Sequence, residues 1–239
     1  MLELLNLENL LFIDIETVPI CAKFEQLTPV YQKLWSKKVE HMPKRPEDTP
    51  ATMFSRAGIF SEFGKVICIS TGSVKMVDGK RSIKLQSFFG NDEKKLLEEF
   101  VLFLNTKFTK KENMFCGHNV KEFDIPYLSR RMMINEMKLP TILDLSGKKP
   151  WEVSHLDTMD LWKFGDYKHF TSLELLATVL NIPTPKDDID GSEVAKVYYQ
   201  DNNLERIVTY CQKDVLTVAQ LMLKYQGKEL IKEENVIFA

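Results

Sequence analysis

The order of elements in the sequence predicts an α/β fold, a mixed sheet with helices on its faces. Two observations carry this reading. Short apolar runs at strand spacing come first, and runs of helical period are then interleaved with them and take over toward the C-terminus. The 239 residues are enough for one large domain or one domain with an insertion. Apolar residues make up 44% and charged residues 28%, which excludes a disordered or collagen-like chain. The 32 basic and 34 acidic residues leave a formal charge of −2. That argues against coating nucleic acid by bulk charge, while local basic grooves stay open. The longest apolar run, Phe100 to Leu104, falls far short of the ~20 residues of a membrane span. The N-terminus lacks the basic start and cleavage site of a secretory signal. Cys21, Cys68, Cys116 and Cys211 form no Cys-x-x-Cys pair, so they read as buried, reduced thiols of a cytoplasmic protein.

Leu10 to Glu16, apolar but broken by acids and followed by Pro19, reads as the first strand. Residues 20–62 stand out in composition: they hold Pro29, Pro43, Pro46 and Pro50 and the cations Lys37, Lys38, Lys44 and Arg45. They read as an insertion with one or two short helices and a long loop, within a single domain spanning 1–239. Lys65 to Ser73 and Ile83 to Phe89 form a hairpin around a turn at Val77-Asp78-Gly79-Lys80. Leu96, Leu97, Phe100 and Leu104 mark a helix over about 92–105, capped by Asn91 or Asp92. Asn113 to Cys116 is a short strand, Asp124-Ile-Pro126 opens a helix, and His155 to Asp157 is a further short strand. Helices are expected at about 171–181, 191–200 and 203–226.

Asp14-Ile15-Glu16 places two carboxylates on one face of a strand, about 6.6 Å apart along it. Leu11, Ile13 and Ile15 fill the other face. A buried acid must be paired or bind a metal, yet the pair alone is weak. Acid-x-acid recurs at Glu122-x-Asp124 and Asp188-x-Asp190. On the last helix, Leu204, Val208, Cys211, Val215, Val218 and Met222 form one apolar stripe, with Asp214 at its margin and Tyr210 just beyond. Both can point along the seam between helix and sheet, or into solvent. Asp124 suits a helix N-cap as well as a ligand. His118 reads as a satisfied core histidine, and Asn119 as either a turn residue or a hydrogen-bond donor to a ligand.

In combination these residues resemble the DEDD superfamily of 3′–5′ exonucleases. The first motif reads Phe-Ile-Asp-Ile-Glu-Thr at 12–17 and the second Gly-His-Asn-Val-Lys-Glu-Phe-Asp-Ile-Pro-Tyr-Leu at 117–128. The third, Tyr-Cys-Gln-Lys-Asp-Val at 210–215, has the Tyr-x-x-x-Asp spacing of the tyrosine branch. The chain is most similar to the bacterial predicted exonucleases related to the proofreading domain of family B DNA polymerases. Trp151 to Gly165, Thr171 to Leu175 and Asp188 to Val194 share in that resemblance. It implies a ribonuclease H-like fold, a five-stranded mixed sheet flanked by helices, with the first three strands antiparallel neighbours.

The resemblance also implies a two-metal phosphodiester hydrolysis with Mg²⁺ or Mn²⁺. Hard oxygen ligands suit those ions, which accounts for carboxylates rather than Cys or His. Asp14, Glu16, Asp124 and Asp214 would be the metal ligands, and Tyr210 would orient the attacking water. Thr17, Asn119 and Phe123 would hold the substrate. The expected substrate is single-stranded nucleic acid, DNA rather than RNA, cut from its 3′ end. Trp35, Phe54, Phe60 and Phe63 near the basic insertion either stack on bases or pack the insertion onto the domain. The chain ends shortly after the third motif, at Ala239, so it is expected to stand alone or to act with a separate partner. An exoribonuclease or a catalytically weak binding module on the same fold are the alternatives. An EF-hand around Asp187 to Gly191 is excluded, because its first position would be Lys186 and its twelfth Val197.

Overall fold

The computed structural model describes residues 2–166, 170–183 and 189–239. Strand β1 (Leu10–Pro19) is followed by α1 (Pro29–Glu40), the hairpin β2 (Gly64–Val77) and β3 (Lys80–Phe89), and α2 (Glu93–Lys107). Next come β4 (Met114–Gly117), α3 (Asp124–Ile134), β5 (Leu156–Asp157), α4 (Thr158–Lys163) and α5 (Leu173–Val179). The chain closes with α6 (Val194–Tyr199), α7 (Leu204–Tyr225) and β6 (Val236–Phe238). The sheet order is β5-β4-β1-β2-β3-β6. β1, β2 and β3 are antiparallel neighbours, as the resemblance implies, while β4 and β5 run parallel to β1.

The sheet has one strand more than the expected five. β6 pairs parallel with Ile83 to Leu85 of β3, and the Ala239 amide donates to Leu85 O at 3.0 Å. Three residues are too few to show strand alternation in sequence. The hairpin turn falls on Asp78 and Gly79, both at positive φ (49° and 73°), which the right-handed twist of paired strands favours.

Alternation along β1 divides the core in two. Leu11, Ile13 and Ile15 pack with Leu97 and Phe100 of α2 and Ile125 and Leu128 of α3. Leu10 and Phe12 turn to the opposite face and meet Val215, Val218 and Met222 of α7. Asp14 and Glu16 continue that second face. The carboxylates therefore lie where the apolar row facing α7 gives out.

Residues 20–62 contain α1 and two 3₁₀ segments, Phe24–Gln26 and Thr52–Ile59. Pro29 stands in the first turn of α1, and Thr28 caps it by accepting from Tyr31 N. The aromatic residues of this segment pack rather than stack on a ligand. Trp35 is fully buried, its ring lies against Phe54, Phe60 and Phe63, and its Nε1 donates to Pro50 O at 2.7 Å. Phe60 keeps part of its surface under Lys38 Nζ, 4.3 Å from the ring centroid. A separate small cluster needs these rings to bury enough apolar surface, and this decides between the two readings of the sequence.

Candidate active site

The site forms where β1, the loop after β4 and α7 converge. β1 supplies Asp14, half-buried opposite Ser70 of β2, and Glu16, buried opposite Cys68. The pairing register shifts between Glu16 and Thr17, so a bulge follows the second acid. β4 ends at Gly117, where an added Cβ would stand 2.9 Å from Ile13 O. Only glycine lets the two strands approach this closely at the point where the chain leaves the sheet.

The loop after Gly117 is built around Asp157, at the end of β5. This buried carboxylate accepts from Asn119 N at 2.9 Å, Lys121 N at 3.1 Å and Met159 N at 3.0 Å. It also caps α4. Asn119 is held at φ 62°, and its buried Oδ1 has no hydrogen-bond partner among the described residues. His118 is a satisfied histidine: Nε2 donates to Thr171 O at 2.8 Å and Nδ1 bonds Thr158 Oγ1 at 2.9 Å. Burial holds its pKa below the ordinary value.

Asp124 is not the N-cap of α3, a position taken by Phe123. It is the first helical residue, and its Oδ1 reaches across to accept from Ile15 N at 3.1 Å. The acid is thus pinned to the strand bearing Asp14 and Glu16, with its charge at a helix N-terminus. Phe123 lies with its ring centroid 5.4 Å from that of Tyr127. Tyr127 lies beside Thr17 and donates to Gly58 O at 2.7 Å. Thr17 and Phe123 are therefore joined through one tyrosine, while Asn119 stands apart in the loop.

α7 brings the remaining groups. Its stripe of Val208, Cys211, Val215, Val218 and Met222 is buried as the periodicity predicts, and Tyr210 and Asp214 are half-buried at its margin. The Tyr210 hydroxyl lies beside the Asp214 carboxylate. Burial, reinforced by Asp214, Glu16 and Asp14, raises the phenol above its ordinary value, so it stays protonated at neutral pH. Gln212 Nε2 donates to Ser87 Oγ at 2.9 Å, which in turn bonds Ser70 Oγ at 2.9 Å, tying the helix to the sheet beside Asp14.

The four acids act on one another. Burial and then Glu16, Asp214 and Asp124 raise Asp14 well above the carboxylate range. Burial, Asp214, Cys68 and Asp124 do the same to Glu16. Asp124 is pushed up to about 7, chiefly by burial and against two backbone hydrogen bonds that oppose the shift. Such crowding of hard oxygen donors is relieved when a divalent cation binds, so the donor set fits Mg²⁺ or Mn²⁺.

Two residues of this region escape a reading of the sequence as site residues. Cys211 reads there as inert core. Its Sγ donates to Asp14 Oδ2 at 3.2 Å, and it lies with the Asp14 and Glu16 oxygens in one group whose ligand atoms are all within 4.8 Å. The Tyr-Cys-x-x-Asp spacing is the available signal, since it puts Cys211 one residue from Tyr210. Asp157 reads only as a strand end, and an acid closing an apolar strand is its signal. The pair Asp188-x-Asp190 begins outside the described residues, and Asp190 accepts from Ser192 N at 2.7 Å.

An antiparallel β1-β2-β3 unit extended by parallel β4 and β5, with carboxylates gathered from β1, α3 and α7, defines a ribonuclease H-like α/β protein with an acidic centre. Residues 59–234 match the model of a family described as predicted 3′-5′ exonucleases related to the exonuclease domain of PolB, and the chain belongs to that family. The matched range contains Asp124, Tyr210 and Asp214 and starts after β1, so Asp14 and Glu16 join the site through the geometry of that strand. A DNA polymerase of Pyrococcus glycovorans is 23% identical over 144 residues, covering 55% of this chain and 18% of the polymerase. The chain thus spans under a fifth of that relative's length. No helix among the described residues is long and apolar enough to cross a membrane.

Proposed function

We propose that this protein is a metal-dependent 3′–5′ exonuclease that hydrolyses phosphodiester bonds from the 3′ end of single-stranded DNA. The reading takes the chain as one domain with residues 20–62 as an insertion. The observation that carries the function is the convergence of Asp14, Glu16, Asp124 and Asp214, where burial and then neighbouring acids raise Asp14, Glu16 and Asp124, in a chain of this exonuclease family.

Asp14, Glu16, Asp124 and Asp214 would hold two divalent ions, Mg²⁺ or Mn²⁺. When bound, these supply charge stabilisation to an already anionic phosphoryl group and lower the pKa of water. Tyr210, kept protonated, is suited to orient the attacking water by hydrogen bonding and not to remove its proton. Asn119 offers the unpartnered Oδ1 to a substrate donor. Thr17 and Phe123, linked through Tyr127, hold the wall next to Glu16.

The test uses 5′-labelled single-stranded DNA and RNA of matched sequence, with Mn²⁺, Mg²⁺ or chelator. An Asp14→Ala/Asp214→Ala protein is run beside the native one. The expected result is a metal-dependent ladder shortening from the 3′ end, faster on DNA and absent in the variant. Faster shortening of RNA replaces the DNA assignment with an exoribonuclease. No ladder from folded protein in either metal overturns the hydrolase reading.

A further inference from the structure

The sheet face toward α2 changes character along the hairpin. The cross-strand pair of Ile69 and Phe88 is buried there, and Phe88 meets Phe100 and Phe103 of α2 at 5.5 and 5.3 Å between ring centroids. The next pairs on that face are polar: Thr71 with Gln86, Ser73 with Lys84, and Lys75 with Ser82. Ile237 of β6 continues the row of Ser73 and Lys84 to the edge of the sheet. These residues floor an open groove of about 770 Å³. Leu102 and Lys107 of α2, and Lys110 in the turn after it, stand along its wall.

Lys75, Lys84, Lys107 and Lys110 are exposed, and none has an ion pair among the described residues. The acids of the lining are already engaged. Glu8 accepts from Met76 N at 3.3 Å, and Glu99 faces Lys95 at 4.0 Å. The groove is thus basic in a chain whose formal charge is −2. The same lining carries exposed aliphatic side chains, Val77, Leu102 and Ile237. Lysines around aliphatic surface complement an acidic segment with apolar side chains on one face. A nucleic-acid strand asks instead for rings to stack on and for arginine. The lining has no arginine among the described residues, and its rings turn to the core, Phe103 against Phe88 and Phe108 stacked on Phe115. Asp14 and Glu16 lie on the opposite face of the sheet, beside Ser70 and Cys68, and the groove runs from Thr71 away from them.

We propose that this groove docks an acidic, amphipathic segment of a partner protein. The aliphatic side chains of that segment rest on Val77, Leu102 and Ile237, and its carboxylates face Lys75, Lys84, Lys107 and Lys110. The charge contacts are exposed, so binding is weakened by salt. The proposal goes beyond the nuclease reading and does not depend on it, since the groove and the acidic centre lie on different faces of the sheet.

The experiment selects a displayed library of random peptides of about 16 residues, some four helical turns, on the native protein. Recovered peptides are then synthesised and measured by fluorescence anisotropy. They should be enriched in Asp and Glu, with Leu, Ile or Phe at helical or alternate spacing. Lys84→Glu/Lys107→Glu should weaken the tightest of them at least about tenfold through like-charge contacts, and Leu102→Ser about tenfold through lost apolar burial. All three side chains are exposed, so these variants should melt within a few degrees of the native protein. Lys84→Gln/Lys107→Gln removes charge without reversing it and should weaken binding by less than the reversal does. Recovery of no peptide, recovered peptides without an excess of acids, or equal binding by the native and charge-reversed proteins overturns the proposal. Oligothymidylate binding that is lost on charge reversal, with no acidic peptide recovered, overturns it in favour of a nucleic-acid groove. A native dimer in sedimentation that dissociates on charge reversal, with no acidic peptide recovered, overturns it in favour of a second copy. Hydrolysis of 5′-labelled single-stranded DNA should be the same in the native and charge-reversed proteins. Absent hydrolysis with intact peptide binding supports the groove and removes the nuclease reading alone.

Discussion

Asp124→Asn should stabilise the metal-free protein while weakening its metal response. The amide keeps an Oδ1 to accept from Ile15 N, so the bond pinning α3 to β1 survives and only the charge is lost. The native carboxyl is raised from 3.8 to about 7, which at pH 8 corresponds to an apo-state penalty of up to about 4 kcal/mol. Because the folded pKa is the higher one, the penalty is complete above pH 7. It falls as the folded state takes up a proton through pH 7, and it vanishes below the unfolded value near 3.8. Native protein in chelator should therefore melt higher at pH 5.5 than at pH 8 through this group. Asp124→Asn should show a smaller difference, since Asp14 and Glu16 remain raised. Allowing half the penalty to remain as amide desolvation, the variant gains roughly 2 kcal/mol at pH 8, or about 4–8 °C in a chain of this length. The assay is thermal unfolding in chelator at both pH values, repeated with Mn²⁺. Mn²⁺ should raise the native midpoint at pH 8 far more than the variant's. A variant that melts lower than native in chelator at pH 8 would refute the argument that uncompensated charge strains this site.

Tyr210→Phe should cut the hydrolysis rate about 100-fold through a misplaced nucleophile and leave Mn²⁺ binding by calorimetry unchanged; an unaltered rate at saturating metal sinks its role. Asp157→Ala frees two backbone amides in the loop that leads to Asp124 and a third, that of Met159, in the first turn of α4, and urea unfolding should show a loss of at least about 3 kcal/mol. Arg131→Met leaves Glu93 buried without its cation, although Val66 N and Asn135 still donate to it. A loss of about 3–5 kcal/mol is expected by the same method. A loss below about 1 kcal/mol would mean that those donors suffice.

The long elements are readable from different signals. The strand over Leu10 to Glu16, buried on both faces, reads as a short apolar run that ends at the acids before Pro19, the hairpin from Asp78-Gly79, and α7 from the helical period of its stripe. β6 and α4 are not legible, since three and six residues cannot display a period. The acids are visible in the sequence as residues and not as a site. Asp14 and Glu16 form one acid-x-acid pair among several, and their identity as a cluster depends on α3 and α7 docking from 109 and 197 residues away. The role of the aromatic residues in 20–62 depends on whether that segment has a core of its own, which is a question of packing.

The siting of the charge comes from how β1 is shared between its neighbours. Its odd residues stay apolar to Ile15 because α2 and α3 cover that face along the strand. Its even residues change from Leu10 and Phe12 to Asp14 and Glu16 where α7 changes from Val218 and Val215 to Cys211. Beyond that point an apolar pair on β1 would be the more stable choice in isolation, since each carboxylate is raised by its own burial. Two of the acids are held there by bonds that serve geometry, Ile15 N on Asp124 and Cys211 Sγ on Asp14. On the metal-dependent reading proposed above, a fold that accepts this strain in its apo state would recover it on binding cations. Replacing Cys211 by Ser should therefore shift the apo stability more than the metal-loaded stability, because the thiol's bond to Asp14 Oδ2 counts most while that oxygen has no cation. Equal shifts in thermal unfolding with and without Mn²⁺ would contradict this.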